Sequence, residues 1–258
     1  MNIKSNFLEV SEESNHVEIT FISKKDLNSL STKRIREIKT VLEKYEYNSS
    51  IISVVFRSEF EKAFIAGADL IELNNMSQFQ IYNAEFQKFI SYLKEYPKIT
   101  LSMLNGFVYG GGFEFSLACD FRICSETVDV RLPETTLGII PGGMGTQLLT
   151  LLVGESRAKQ LIILNESLDA KELYNYGLIY SIVNYKQFDK EIDAFLERLS
   201  KGAPRALELA KISINSANEM QKGILVERLS QSVLFSSDDK HEGISSFLNK
   251  EKPVYRGK

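Results

Sequence analysis

Apolar and polar residues alternate over His16-Val-Glu-Ile-Thr-Phe-Ile22, which puts Val17, Ile19 and Phe21 on one face and predicts a half-buried strand. A polar turn follows around Lys24-Lys-Asp26, and the period then lengthens. From about Thr32, Ile35, Ile38, Val41, Leu42 and Tyr45 recur at the spacing of a helix with one apolar face. Ile51-Ile-Ser-Val-Val-Phe56 is nearly all apolar, as a strand covered on both sides should be. The chain therefore opens β-β-α-β.

The unit recurs. A helix is predicted from about Gln78 to Tyr96, stopped by Pro97, then a strand from Ile99 to Leu104 that ends in the turn Asn105-Gly106. The glycine run Gly110, Gly111 and Gly112 leads into a helix over Phe113 to Ala118, followed by a strand over Asp120 to Cys124 and a short one near Val128. This alternation predicts an α/β fold with a mainly parallel sheet and ligands at strand ends. Beyond Pro141 helical patterns dominate, over Thr146 to Val153, Ser156 to Leu164 and Asp169 to Tyr176. Asp169 and Glu172 have capping-box spacing, and Gly177 suits a helix stop. Ile179 to Val183 reads as a last strand, and from Lys186 the rest is helical, with a break at Gly202-Ala-Pro204. The expected organisation is an α/β core over 1–200 and a helical C-terminal region over 201–258.

Composition narrows the function. The 258 residues are 43% apolar and 25% charged, enough for one sizeable core with a smaller appendage. The formal charge of −3 is spread without basic blocks, which offers no footprint for nucleic acid or an anionic membrane. An anionic ligand would need its own local lysines. Cys119 and Cys124 are read as buried thiols in a reducing compartment; with two histidines they cannot close a zinc site. The N-terminus lacks the apolar run of a signal peptide, and no segment approaches the roughly 20 apolar residues of a membrane span. A soluble, cytoplasmic protein without a metal is expected.

Several active-site types are excluded. There is no G-x-S-x-G elbow, His16 and His241 lie near opposite ends, and neither G-x-G-x-x-G nor G-x-x-x-x-G-K-[ST] occurs. Three unusual segments remain: Ala63-Phe-Ile-Ala-Gly-Ala-Asp69, Tyr109-Gly-Gly-Gly-Phe-Glu114, and Leu132-Pro-Glu134 followed by Gly138 to Gly145. In the first two, small residues at a helix start let a ligand approach unpaired N–H groups, and two such groups from separate loops make an oxyanion hole. Packing or tight turns alone would equally account for a lone glycine run. Glu114 lies one helical turn from Gly111, and Glu134 follows a proline in a predicted loop. Two carboxylates in a dry pocket can share acid–base work once burial moves a pKa towards neutrality. A solvated surface role is the ordinary alternative for either.

Together these segments resemble the signature of the crotonase (enoyl-CoA hydratase/isomerase) superfamily, in order. A-G-A-D-[IL] is met by Ala66-Gly-Ala-Asp-Leu70, N-G-x-x-x-G-G-G-x-E-[LF]-x-x-x-C-D by Asn105 to Asp120, and P-E-x-x-L-G-[IL]-x-P-G-x-x-G-T-Q by Pro133 to Gln147. Asn28-Ser-Leu30, Gly177-Leu-Ile and Glu242 to Leu248 extend the match along most of the chain. The resemblance implies a crotonase-like spiral of β-β-α units with a helical C-terminal region that packs a homo-trimer, usually paired into a hexamer. It implies that the N–H groups of Ala68 and Gly111 hold a thioester oxygen, with Ala66, Gly67, Asp69, Leu70 and Gly110 around the substrate. It also implies that Glu114 and Glu134 are the catalytic carboxylates. Glu114 would deprotonate water attacking C3, Glu134 would protonate C2, and Gly142 would let acyl chain and water approach. Lys25, Phe247 and Lys250 match positions that contact coenzyme A, which is part of the substrate; no separate cofactor is expected.

Ile71, Arg131 and the Gln147-Leu-Leu stretch depart from the usual hydratase pattern and bear on substrate size. Retention of both glutamates favours hydration. The resemblance also admits an enoyl-CoA isomerase, a carbon–carbon cleaving or decarboxylating enzyme, and a non-catalytic RNA-binding or scaffold homologue. Salt dependence of RNA binding would separate the last from the enzymes.

Overall fold

Alternating burial builds the second and third strands of the chain. In the computed structural model, which describes residues 3–82, 84–218 and 220–257 and gives no side-chain description at 3, 82, 218, 220–223 and 247, β1 (Ile3–Lys4), β2 (Leu8–Glu12) and β3 (His16–Phe21) pair antiparallel. β3 buries Val17, Ile19 and Phe21, the face its alternation predicts. Helix α1 (Thr32–Tyr45) starts where Ser31 Oγ accepts from Arg34 N, and it buries Ile35, Ile38, Val41, Leu42 and Tyr45.

From there the chain winds as a spiral. Each turn lays one strand in a large sheet and the next in a small one: β4 (Ser53–Ser58) then β5 (Ala63–Ile65), β6 (Ile99–Leu104) then β7 (Phe107–Tyr109), β8 (Phe121–Ser125) then β9 (Asp129–Arg131). With β10 (Ser181–Val183) the seven-stranded sheet runs β1-β2-β3-β4-β6-β8-β10, and the three-stranded sheet runs β5-β7-β9, parallel throughout. The fold is the β-β-α crotonase spiral.

The helices between the turns are α2 (Leu70–Asn74), α3 (Gln78–Tyr82), α4 (Glu85–Glu95), α5 (Gly111–Ala118), α6 (Gly145–Val153), α7 (Glu155–Ile163) and α8 (Ala170–Asn175). One expectation is corrected here. The helix predicted across 78–96 is two helices, because Ala84 turns extended (φ −51°, ψ 127°) as the N-cap of α4. Glu85 then accepts from Arg36 Nε of α1 at 2.6 Å, and Phe86, Phe89, Ile90 and Leu93 lie along one helical stripe. Strand β7 escaped the periodicity reading because three residues hold too little pattern. The capping box of Asp169 and Glu172 is present on α8.

Helix α5 is buried along its whole length, so packing on all sides fixes it. The Phe115 ring lies 4.9 Å from Phe56, 5.9 Å from Phe21 and from Phe89, and 6.2 Å from Phe64, centroid to centroid. At the other end of α5 the buried Arg122 guanidinium donates to Ser116 O at 2.8 Å, Cys119 O at 2.6 Å and Leu178 O at 2.6 Å. A cation there satisfies terminal carbonyls and complements the helix dipole.

Contacts divide the chain into two compact units, one of residues 1–96 with 100–188 and one of 97–99 with 189–258. Most of α9 (Phe188–Leu199), with α10 (Pro204–Asn215), α11 (Met220–Phe235) and α12 (Asp238–Asn249), builds the second. Within it buried Lys211 donates to Lys98 O, and buried Asp239 accepts from Arg256 N and Gly257 N, tying the tail to α12. Among the described residues no helix is long and apolar enough to cross a membrane.

Candidate active site

The site is built from loops that hydrogen-bond to one another. Leu27 and Asn28 take positive φ of 53° and 61°. Asn28 is fully buried, donates from Nδ2 to Ser58 Oγ at 3.0 Å and Phe64 O at 2.9 Å, and accepts at Oδ1 from Ser23 N at 2.8 Å. That anchors the loop against which 66–69 is laid. Ala66 N donates to Leu27 O, Leu30 N to Gly67 O, and Asp69 N to Leu30 O, at 3.1, 2.8 and 2.8 Å. Between these bonds the Ala68 N–H meets no acceptor among the described residues. Gly67 holds φ +114°, open to glycine and rarely to other residues. The Asp69 carboxylate caps α2, accepting from Ile71 N at 3.0 Å and Glu72 N at 3.1 Å.

The second loop is the glycine run, whose members do different jobs. Gly110 has φ +50°, donates to Arg131 O at 2.9 Å, and accepts from Phe113 N and Glu114 N. Gly111 opens α5, so its N–H has no partner within the helix, and none among the described residues faces it. A methyl on Gly111 would lie 3.8 Å from Ala68 N, so the two free donors border one small space. Gly112 is there for packing: a methyl would fall 2.1 Å from Ile65 O on β5.

Two buried carboxyls complete the arrangement. Glu114, 2% exposed, accepts at Oε1 from Gly143 N at 2.7 Å and Gly145 N at 2.8 Å. Burial pushes its pKa up to about 7; the Gly145 and Gly143 N–H groups oppose the rise, and the charge of Glu134 adds to it. Glu134 sits in the 3-10 turn Pro133–Leu137 directly after β9 and is 8% exposed. Its Oε1 lies 2.9 Å from the position of a methyl on Gly110, and its buried Oε2 has no hydrogen-bond partner among the described residues. Burial raises its pKa as well. Two free N–H donors beside two carboxyls of raised proton affinity can stabilise an enolate oxygen and move protons to and from adjacent carbons.

The sequence profile of the enoyl-CoA hydratase/isomerase family matches residues 11–258. The chain belongs to the enoyl-CoA hydratase/isomerase family. It is 33% identical over 239 residues to human mitochondrial methylglutaconyl-CoA hydratase, covering 89% of this chain and 70% of that protein. It is 30% identical over 242 residues to the short-chain-enoyl-CoA hydratase of Clostridium acetobutylicum, covering 91% of each. The crystal structure of an enoyl-CoA hydratase from Bacillus anthracis superposes with a TM-score of 0.92 at 32% identity, over 97% of this chain and 99% of that one. Members of the enoyl-CoA hydratase/isomerase family act on acyl-CoA thioesters.

In this family member the first unit brings together Ala66, Gly67, Ala68, Asp69, Gly110, Gly111, Glu114 and Glu134. Leu70 is exposed at the start of α2, and Lys25 is exposed on a 3-10 turn of the 23–30 loop. Gly142 is exposed and open, with Ile140 O at 4.0 Å from a methyl placed there; its neighbours Gly143 and Gly145 are the ones that grip Glu114. Lys250 is exposed at the end of α12 in the second unit, and the Phe247 side chain lies outside the described residues. The sequence reading missed Gly143, Gly145 and Phe86 as partners of the site. A methyl on Gly143 would fall 2.3 Å from Phe86 Cε1. The sequence signal for Phe86 was its place on the Phe89, Ile90, Leu93 stripe.

Proposed function

We propose that the protein is an enoyl-CoA hydratase that adds water across the 2,3 double bond of a 2-enoyl-CoA to give a 3-hydroxyacyl-CoA. The observation that carries this is the pairing of two buried glutamates, both raised in pKa, beside the free N–H groups of Ala68 and Gly111. Burial raises the proton affinity of both carboxyls, which suits one of them to give a proton and the other to take one. Glu114, oriented by Gly143 and Gly145, takes a proton from water as the oxygen bonds to C3. The C2–C3 π electrons move towards the carbonyl, and Glu134 delivers its proton to C2. The thioester oxygen gains negative charge meanwhile, and each preorganised N–H there is worth roughly 3 kcal/mol of transition state.

Coenzyme A enters as part of the substrate, with Lys25 and Lys250 as cationic partners for its phosphates and Phe247 for its adenine. The reaction calls on these side chains and backbone donors, with no separate cofactor. We assign the protein to the cytoplasm and to a homo-trimer or hexamer; exposed Ile212, Ile224, Leu225, Leu229 and Val233 on α10 and α11 support a partner surface. The test is loss of conjugated-thioester absorbance on a panel of 2-enoyl-CoAs, with 3-enoyl-CoAs as the isomerase control.

A further inference from the structure

Burial does little to hold α2. Its residues, Leu70–Asn74, bury no side chain, and Leu70 and Ile71 stand 57% and 79% exposed. The tie between α2 and α1 is the Glu72 carboxylate. It accepts from Thr32 N at 3.0 Å through Oε2 and from Thr32 Oγ1 through Oε1. Thr32 is the first residue of α1, whose opening turn carries no acidic residue of its own. Ser31 Oγ takes Arg34 N there. Glu72 therefore brings from another element an acceptor and a negative charge that this helix start otherwise lacks.

The same tie closes a ring around Ala68. Leu30 pairs with Ala68 in a parallel bridge, in which Leu30 N donates to Gly67 O and Leu30 O accepts from Asp69 N, both at 2.8 Å. In a planar trans peptide the carbonyl and the N–H point in opposite directions. Holding Gly67 O on Leu30 N therefore aims the Ala68 N–H away from Leu30, towards the space it shares with Gly111. Thr32 follows Leu30 on one side of the bridge, and Glu72 follows Asp69 on the other. Glu72 N donates to Asp69 Oδ1 at 3.1 Å, and the Glu72 carboxylate reaches across to Thr32. The Asp69 carboxylate cannot replace this link, because it accepts from Ile71 N and Glu72 N, both within α2. We infer that Glu72 is a positioning residue, a clamp that keeps the Ala68 N–H aimed at the substrate oxygen without touching that oxygen. This rests on the oxyanion role proposed above for Ala68.

The test reads the aim of the donor in a bound ligand as well as in turnover. The probe is 4-dimethylaminocinnamoyl-CoA, a conjugated thioester whose absorbance moves to the red when hydrogen bonds polarise its carbonyl. Wild type should give that red shift on binding, and folded Glu72→Ala should lose at least about half of it. On a 2-enoyl-CoA the same variant should fall at least about tenfold in kcat, with KM within about threefold, because the misaimed donor acts on charge that develops in the transition state. Glu72→Gln keeps an acceptor for Thr32 N and should retain most of the red shift and a rate within about threefold of wild type. A full red shift in folded Glu72→Ala, an equal loss in Glu72→Gln, or no red shift with the wild type would overturn the inference. Should Glu72→Ala fail to fold, Glu72→Met, which keeps length and helix propensity without the carboxylate, decides by the same criterion. A wild type that shifts the probe to the red but hydrates no 2-enoyl-CoA would defeat the proposed function and leave the clamp standing.

Discussion

Replacing Glu114 with Gln should make the protein more stable, and increasingly so as pH rises. The carboxyl ordinarily titrates near 4.5 and is pushed up to about 7 in the folded chain, chiefly by burial. A folded state that binds a proton more tightly than the unfolded state loses stability as pH rises, from the ordinary pKa through the raised one. The gap between 4.5 and about 7, at about 1.4 kcal/mol per pH unit, comes to roughly 3 kcal/mol by pH 8. At pH 5 the same group takes away only roughly 1 kcal/mol. The amide of Glu114→Gln carries no such penalty, and its oxygen can still accept from Gly143 N and Gly145 N. The stability advantage of the variant should therefore widen by about 2 kcal/mol between pH 5 and pH 8, which is roughly 4–8 °C in melting temperature for a chain of this size. Using the change of a difference cancels every group that titrates alike in both proteins. Urea unfolding of both at pH 5, 6.5 and 8, at one protein concentration and ionic strength, measures it. An advantage that stays constant or narrows over this range would refute a raised Glu114.

Further expectations follow from single contacts. Gly112→Ala should destabilise by at least about 2 kcal/mol in urea unfolding, since its methyl would fall 2.1 Å from the Ile65 carbonyl oxygen. Asn28→Ala should cost about 2–3 kcal/mol and depress kcat, because it removes the side-chain partner of Phe64 O and Ser23 N beneath the loop carrying Ala68. Asp69→Ala removes only the cap of α2 and should cost about 1 kcal/mol, leaving the acid limb of the pH–rate profile in place. Light scattering should give a multiple of 29.3 kDa at micromolar concentration, and monomer alone would contradict the partner surface proposed on α10 and α11.

Long periodic segments were legible in the sequence. The buried residues of α1 and β3 follow from spacing alone, and the three glycine- and proline-rich segments do meet in space. The break at Ala84 was not legible, because α3 and α4 share one helical texture and a tertiary packing choice divides them. Nor was the division of labour among glycines. Gly110, Gly111 and Gly112 read alike in one dimension, yet one takes a positive φ, one presents an N–H and one admits β5. The grip of Gly143 and Gly145 on Glu114 joins residues 29 and 31 positions apart, beyond the reach of local pattern.

The paired-glutamate hydration claim is tested most directly by turnover of a short 2-enoyl-CoA in ¹⁸O-labelled water by wild type and by Glu134→Gln. Wild type should consume the conjugated thioester and place the label at C3 of a 3-hydroxyacyl-CoA. Glu134→Gln, folded and with an unchanged melting temperature at pH 5, should lose at least about a hundredfold in turnover. A folded wild type that leaves every 2-enoyl-CoA of the panel unhydrated, or a Glu134→Gln protein that keeps more than half the wild-type rate, would contradict it.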